Sequence, residues 1–130
     1  VALAGHVTVG KFAVIGGLAA IHQFIHIGDH AMISGGSLVR KDVPPFTKAA
    51  KEPLSYVGIN SVGLRRRGFT TEKIKEIQDI YRILYQKNYN TTQAIGIIEA
   101  EMEATPERDE ILDFIRNSSR GVMKGYTGNY

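Results

Sequence analysis

A six-residue beat runs unbroken through the first forty-two residues of this chain and leaves few folds open to it. Written in sixes, the sequence reads VALAGH, VTVGKF, AVIGGL, AAIHQF, IHIGDH, AMISGG and SLVRKD. Every third position is a branched aliphatic: Leu3, Val9, Ile15, Ile21, Ile27, Ile33 and Val39. The first positions are small or branched, from Val1 and Val7 to Ala31 and Ser37. A β-sandwich would show period-two alternation without a beat of six. A hexapeptide period instead describes a parallel β-helix, in which short strands form flat faces and each third-position aliphatic points into a stacked interior. With three hexapeptides to a coil, residues eighteen apart stack. Leu3, Ile21 and Val39 then share one column, and His6, Phe24 and Asp42 another. Glycine follows the aliphatic at Gly10, Gly16 and Gly28, where the chain is expected to turn.

The repeat ends at Asp42-Val43-Pro44-Pro45, which is expected to stop the ladder because proline cannot donate to a neighbouring strand. Charge changes near the same place. Residues 1–50 hold all four histidines but only Lys11, Arg40, Lys41, Lys48, Asp29 and Asp42 as charged groups, and the rest is charge-dense. This divides the chain into β-helix coils over residues 1–45 and a small C-terminal α-helical domain over 46–130. Solenoid coils draw stability from their neighbours. Since Val1 falls in mid-repeat without an initiating Met, further coils are expected upstream.

The second part reads as three helices. Thr70 is a fitting N-cap, followed by Glu72 and an apolar stripe of Ile74, Ile77, Tyr81, Leu84 and Tyr85, for a helix running to about Asn88. Another begins after Thr91 or Thr92 with Ile95, Ile98 and Met102. A third has Thr105 as cap, Pro106 in its first turn, and Ile111, Leu112 and Ile115 as its apolar face. These stripes are packing surfaces, and Glu99, Glu101 and Glu103 a solvated face. Gly125 to Tyr130 lacks periodicity and reads as a tail.

Composition narrows the chemistry. The absence of cysteine removes disulfides, thiolate nucleophiles and cysteine zinc sites together. Apolar residues at 43% and charged residues at 22% exclude a disordered chain. Sixteen basic against thirteen acidic residues, a net charge of +3, do not make a nucleic-acid binder. No apolar run is long enough for a membrane span and the N-terminus lacks a secretory layout, so a cytoplasmic location is expected. His22, His26 and His30 stand at i, i+4 and i+8, a spacing that suggests a metal-binding helix out of context. In the hexapeptide frame they take positions four, two and six and leave the coil in different directions. No metal or cofactor is therefore expected, the alternative being a metal shared between subunits as in β-helical carbonic anhydrases.

Several motifs occur in order: Leu3-Ala4-Gly5-His6, Ile15-Gly16-Gly17, His22-Gln23-Phe24, Asp42-Val43-Pro44-Pro45, Asn60, Gly63-Leu64-Arg65-Arg66-Arg67-Gly68-Phe69 and Ser119-Arg120-Gly121. On these the chain, over residues 1–124, resembles the acyl-(acyl carrier protein):UDP-N-acetylglucosamine O-acyltransferases that begin lipid A synthesis in Gram-negative bacteria. Many acyl- and nucleotidyltransferases share hexapeptides. His-Gln-Phe followed by the arginine-rich segment is what narrows the resemblance.

The resemblance implies a homotrimer of left-handed parallel β-helices with active sites in clefts between subunits. It implies transfer of an R-3-hydroxyacyl group from acyl carrier protein to the sugar 3-hydroxyl, with a general-base histidine about two hexapeptides upstream of Val1. By the family pattern the Gly5 N–H is an oxyanion donor with His6 beside the reacting groups, and His22 and Gln23 contact substrate. Asn60, Arg66 and Arg67 likewise bind substrate, the arginines at phosphate, and Gly35 sets acyl-chain length. The family often has an acidic residue two positions after the asparagine, where this chain has Val62. Two alternatives share the fold: the sister N-acyltransferase of the same pathway, and a non-catalytic trimeric module that binds acyl carrier protein through Lys48, Lys51 and Arg65 to Arg67.

Overall fold

The computed structural model describes residues 2–86 and 88–125. Seven two-residue strands keep the six-residue beat: β1 (Ala2–Leu3), β2 (Thr8–Val9), β3 (Val14–Ile15), β4 (Ala20–Ile21), β5 (His26–Ile27), β6 (Met32–Ile33) and β7 (Leu38–Val39). Parallel pairing stacks them into the faces of a prism. β1, β4 and β7 make the first face, β2 and β5 the second, and β3 and β6 the third. Partners are eighteen residues apart, Leu3 opposite Ile21 and Val9 opposite Ile27, so the expected aliphatic columns form. Leu3 is 54% exposed while Ile21 is 2% and Val39 0%, because among these residues a first-coil side chain has a neighbouring coil on one side only.

The corners differ in detail from the sequence reading. Left-handed backbone falls on position six: His6, Phe12, Leu18, Phe24 and His30 have φ of 59° to 66°. The position-four glycines do not carry it. Gly10, Gly16 and Gly28 are required by close approach instead, since a Cβ on them would collide with Asp29, Gly35 and Pro45 of the next coil.

The ladder does not stop at the diproline. Strand β8 (Thr47–Ala50) pairs parallel with β6, Met32 opposite Lys48 and Ile33 opposite Ala49, sixteen residues apart. The second face also continues, through a bridge between Ile27 and Val43. Neither proline has to donate there: the Val43 N–H donates to the His26 carbonyl at 3.0 Å and the Gly28 N–H to the Val43 carbonyl at 2.8 Å. The last coil is two residues shorter, and Phe46, with φ 70°, takes the place above His30.

This shortening corrects the expected column of His6, Phe24 and Asp42. Asp42 turns inward and is 3% exposed. Its carboxylate accepts from the His26 N–H at 2.9 Å and the Ser118 hydroxyl at 2.5 Å. Its backbone N–H donates to the Gly121 carbonyl and its carbonyl accepts from the Met123 N–H. Asp42 therefore binds residues 118–123 to the prism.

The region expected to be a helical domain opens with strands. β9 (Ser55–Ile59) lies antiparallel to β8, and β10 (Lys124–Gly125) parallel to β9, so the third face has five strands. Four helices follow β9: α1 (Ser61–Arg66), α2 (Thr71–Leu84), α3 (Thr91–Glu101) and α4 (Pro106–Arg116). Thr70 and Thr105 cap α2 and α4 as expected, their hydroxyls accepting from the N–H groups of Lys73 and Arg108. Helix α2 stops at Leu84, short of Asn88. The cap of α3 is Asn90, which exchanges hydrogen bonds with Gln93. Gly125 belongs to β10, and the rest of the expected tail, 126–130, lies outside the described residues.

Two cores result. One fills the prism, from Ile21 to Ala49 with Met123, and the other joins the helices to Phe46 and Ile59. Tyrosines lock them together: the Tyr81 hydroxyl donates to the Pro45 carbonyl at 2.5 Å, and that of Tyr85 to the Met123 carbonyl at 2.8 Å. Among the described residues no helix is long and apolar enough to cross a membrane.

Candidate functional site

The candidate residues distribute over the three corners of the prism. The first corner, residues 4–6 and 22–24, gathers Gly5, His6, His22 and Gln23, all exposed. The His6 imidazole lies flat on the Phe24 ring, centroids 5.2 Å apart and planes 6° apart. The stacking follows from the register, since both residues are sixth in their repeats and one coil apart. The Gly5 carbonyl accepts from the Phe24 N–H at 3.3 Å, and a Cβ on Gly5 would meet nothing within 4 Å. Backbone, imidazole and amide groups are thus presented to solvent from one edge.

Arg120 arrives at the same corner from far along the chain, and the sequence reading gave it no role. The Asp42 clasp holds residues 118–123, and the Lys41 ammonium donates to the Arg120 carbonyl at 3.1 Å. The Arg120 guanidinium stands 5.5 Å from the Phe24 centroid, on a ring that also carries His6. The Ser119-Arg120-Gly121 motif was the sequence signal that could have located it.

The second corner, residues 10–12, 28–30 and 44–46, gathers Asn60 and Arg67. Asn60 is 6% exposed and caps α1. Its Nδ2 donates to the His30 carbonyl at 3.0 Å, its Oδ1 accepts from the Gly63 N–H at 3.3 Å, and its own N–H donates to the Phe46 carbonyl. Asn60 thereby fastens α1 to the prism and aims the arginine segment. Arg67 follows α1 directly, and its guanidinium carbon lies 3.9 Å from the Phe12 centroid. Arg65 and Arg66, in the last turn of α1, are exposed.

Around these groups Phe12, His30, Phe46 and Phe69 form a continuous ring cluster, with centroids 5.1 to 6.0 Å apart. Burial pushes the His30 pKa down from its ordinary value, and Arg67 and Lys11 push the same way against Asp29. Glu110 of α4 reaches this corner from the other side. Burial, and after it the neighbouring Asp29 carboxylate, push Glu110 up to about 7.

Gly35 sits at the third corner with Gly16 and Gly17. A Cβ there would come within 3.0 Å of the Gly17 carbonyl oxygen, so the neighbouring coil alone already disfavours a side chain. The three clustered histidines of the sequence are dispersed: His22 at the first corner, His26 on the second face, His30 in the second corner. Among the described residues no group of three or more His, Asp or Glu could hold a metal ion. A groove of about 430 Å³ beside α2 is lined by Glu72, Glu76, Asp79, Met102 and other residues, and no candidate residue lines it.

A three-faced parallel solenoid with a six-residue repeat and a helical cap carrying arginines defines the class of hexapeptide-repeat proteins. Comparison with known proteins narrows it. Residues 42–123 match the family described as UDP N-acetylglucosamine O-acyltransferase, domain 2. An acyl-(acyl carrier protein)–UDP-N-acetylglucosamine O-acyltransferase of Myxococcus xanthus is 42% identical over 118 residues, 91% of this chain and 46% of that protein. Its counterpart in Thiobacillus denitrificans is 37% identical, over 94% of this chain and 47% of its own length. The crystal structure of a UDP-N-acetylglucosamine acyltransferase from Bacteroides fragilis superposes with a TM-score of 0.88 at 46% identity, covering 91% of this chain and 46% of that one. The chain belongs to the UDP-N-acetylglucosamine O-acyltransferase family. It spans about half the length of the relatives it matches.

Proposed function

We propose that this chain is the C-terminal portion of an enzyme that moves an R-3-hydroxyacyl group from acyl carrier protein to the 3-hydroxyl of UDP-N-acetylglucosamine, the opening step of lipid A synthesis. It works as a cytoplasmic homotrimer of left-handed β-helices. The observation that carries this reading is the division of the candidate residues: Gly5, His6, His22 and Gln23 at one corner, Asn60, Arg66 and Arg67 at or beside another, Gly35 at the third. A cleft between neighbouring copies reunites what one prism keeps apart.

The reaction needs a base for the sugar hydroxyl and a donor for the tetrahedral oxyanion. The base is a histidine outside these residues. The hydroxyl oxygen attacks the thioester carbon, the C–O bond forms, the C–S bond breaks, and the departing thiolate takes up the proton. The Gly5 N–H donates to the oxyanion, with His6 alongside. His22 and Gln23 offer directional hydrogen bonds to the substrate. Arg66 and Arg67 face the diphosphate, for which a guanidinium provides charge-assisted, paired donors. Asn60 has one Nδ2 hydrogen left for a ligand beyond its structural bonds. Gly35 leaves the acyl groove open. Lys48 on β8, Lys51 and Arg65 attract acidic acyl carrier protein.

Calorimetric titration with UDP-3-O-(3-hydroxyacyl)-N-acetylglucosamine tests the reading on this chain. Saturable binding weakened about tenfold by Arg67→Ala is the expected result. A folded trimer that binds no product, or a variant that binds as the parent does, overturns it.

A further inference from the structure

At the third corner position six is held by Leu18, at φ 62° and 92% exposed, and one coil on by Gly36, at φ 75°. At the second corner the place is held by Phe12, at φ 59° and 51% exposed. Position six is the corner residue of every repeat, so neither its backbone nor its exposure singles Phe12 out; its contact does. What it does touch is Arg67, whose guanidinium carbon lies 3.9 Å from its centroid. None of the ion pairs among the described residues involves Arg67.

We propose that Phe12 is a positioning residue for Arg67, its ring holding the guanidinium at the second corner ready for the phosphates of a nucleoside diphosphate. This rests on the reading of Arg67 as a phosphate contact. The ring is itself immobilised, because His30 packs against it at 5.2 Å and stacks in turn on Phe46 at 5.8 Å, with Phe69 edge-on at 5.1 Å. Phe46 is 2% exposed and belongs to the helical core, so the platform under the arginine is anchored in buried structure. Partial burial lowers the His30 pKa, which disfavours a cation beneath the guanidinium. Asp29 and Lys11 are the other charged groups at His30. Arg67 also has little chain to wander along, since it ends α1, whose start Asn60 fixes to the His30 carbonyl. A free arginine loses rotamer freedom when it binds an anion, and one already seated on a ring loses less.

Two readouts on the 130-residue chain test this. The Arg67 Nε–H resonance, assigned by its disappearance in Arg67→Lys, is expected to lie upfield under the ring current. It should return to the position of a free arginine in Phe12→Leu and stay shifted in Phe12→Trp. In titrations with UDP, Phe12→Leu should weaken binding roughly two- to fivefold, the range of an exposed cation–π contact, and Phe12→Trp should retain it. His6 and Phe24 resonances unchanged in each variant establish that the fold is kept. An Arg67 resonance that ignores Phe12→Leu overturns the proposal. So does a resonance that moves without loss of UDP affinity where Arg67→Lys does lose it, and then the phosphate reading of Arg67 stands. UDP affinity indifferent to Arg67→Lys overturns both.

Discussion

Two corners of the prism carry the same three kinds of side chain and cover them to different degrees. At the first, His6 stacks on Phe24 with Arg120 beyond it, and both rings remain open to solvent. At the second, His30 packs on Phe12 with Arg67 beyond it, but Phe46, Phe69 and α1 close over the imidazole. Stacking is common to both because the left-handed sixth position recurs with each coil. Covering is what separates them. It takes water away from part of His30, while the first corner leaves His6 exposed. Residues of the same kinds thus acquire different surroundings from what the rest of the chain lays over them.

The comparison breaks first on stability. Phe46→Ala should cost about 3 to 4 kcal/mol, as loss of a buried aromatic does, whereas Phe24→Ala should cost about 1 kcal/mol or less. Denaturant midpoints decide this, and equal shifts would mean the corners are equally buried. Asn60→Ala removes a helix cap together with the bond to the His30 carbonyl and should cost about 2 kcal/mol, with loosening of the arginine segment visible as faster amide exchange in residues 61–69. The pH dependence comes next. Because folding raises the Glu110 pKa to about 7 from 4.5, the stability it contributes is fully present below about 4.5 and lost as pH rises through about 7. Glu110→Gln should therefore be more stable than the parent at pH 8, by under about 1 kcal/mol given its partial exposure, and no more stable near pH 4. The smallest effect is at His30. Its folded pKa is lowered, so its stabilising contribution holds above 6.5 and is lost as pH falls from there through the folded value. An NMR titration should give a midpoint below 6.5, and a midpoint above it would show that His30 is not desolvated.

Most of the prism was legible because its period is a packing requirement. An aliphatic must face the interior once in every hexapeptide, and Leu3 through Val39 obey. The end of the prism was not legible, since the coil loses two residues by Asp42 and no local preference marks a shortened coil. Proline seemed decisive there, yet Pro44 and Pro45 fall where the ladder asks only Val43 to donate. Glycine misled in a similar way: Gly10, Gly16 and Gly28 are small because of the coil above, while the turns fall on residues as large as Phe12. Helices α2 and α4 announced themselves by caps and stripes. Helix α1 is six residues long with a glycine inside it, and read as a basic run. For the site, family motifs supplied the residues, and only the structure could show which of them share a corner. Arg120, noted only within Ser119-Arg120-Gly121, was given no role because nothing local links it to His6, with which it shares the Phe24 ring through a clasp at Asp42.

The most direct test of a site shared between copies is subunit mixing. His22→Ala removes a first-corner contact and Arg67→Ala a second-corner contact, and each homotrimer should bind product weakly. Unfolding the two together and refolding them as mixed trimers should restore parental affinity to about a quarter of the sites, those pairing an intact first corner with an intact second corner of the neighbour. Recovery of such a fraction is the result predicted. Mixed trimers that form, as mass measurement would show, yet recover no tight site would place both contacts within one copy and contradict the account.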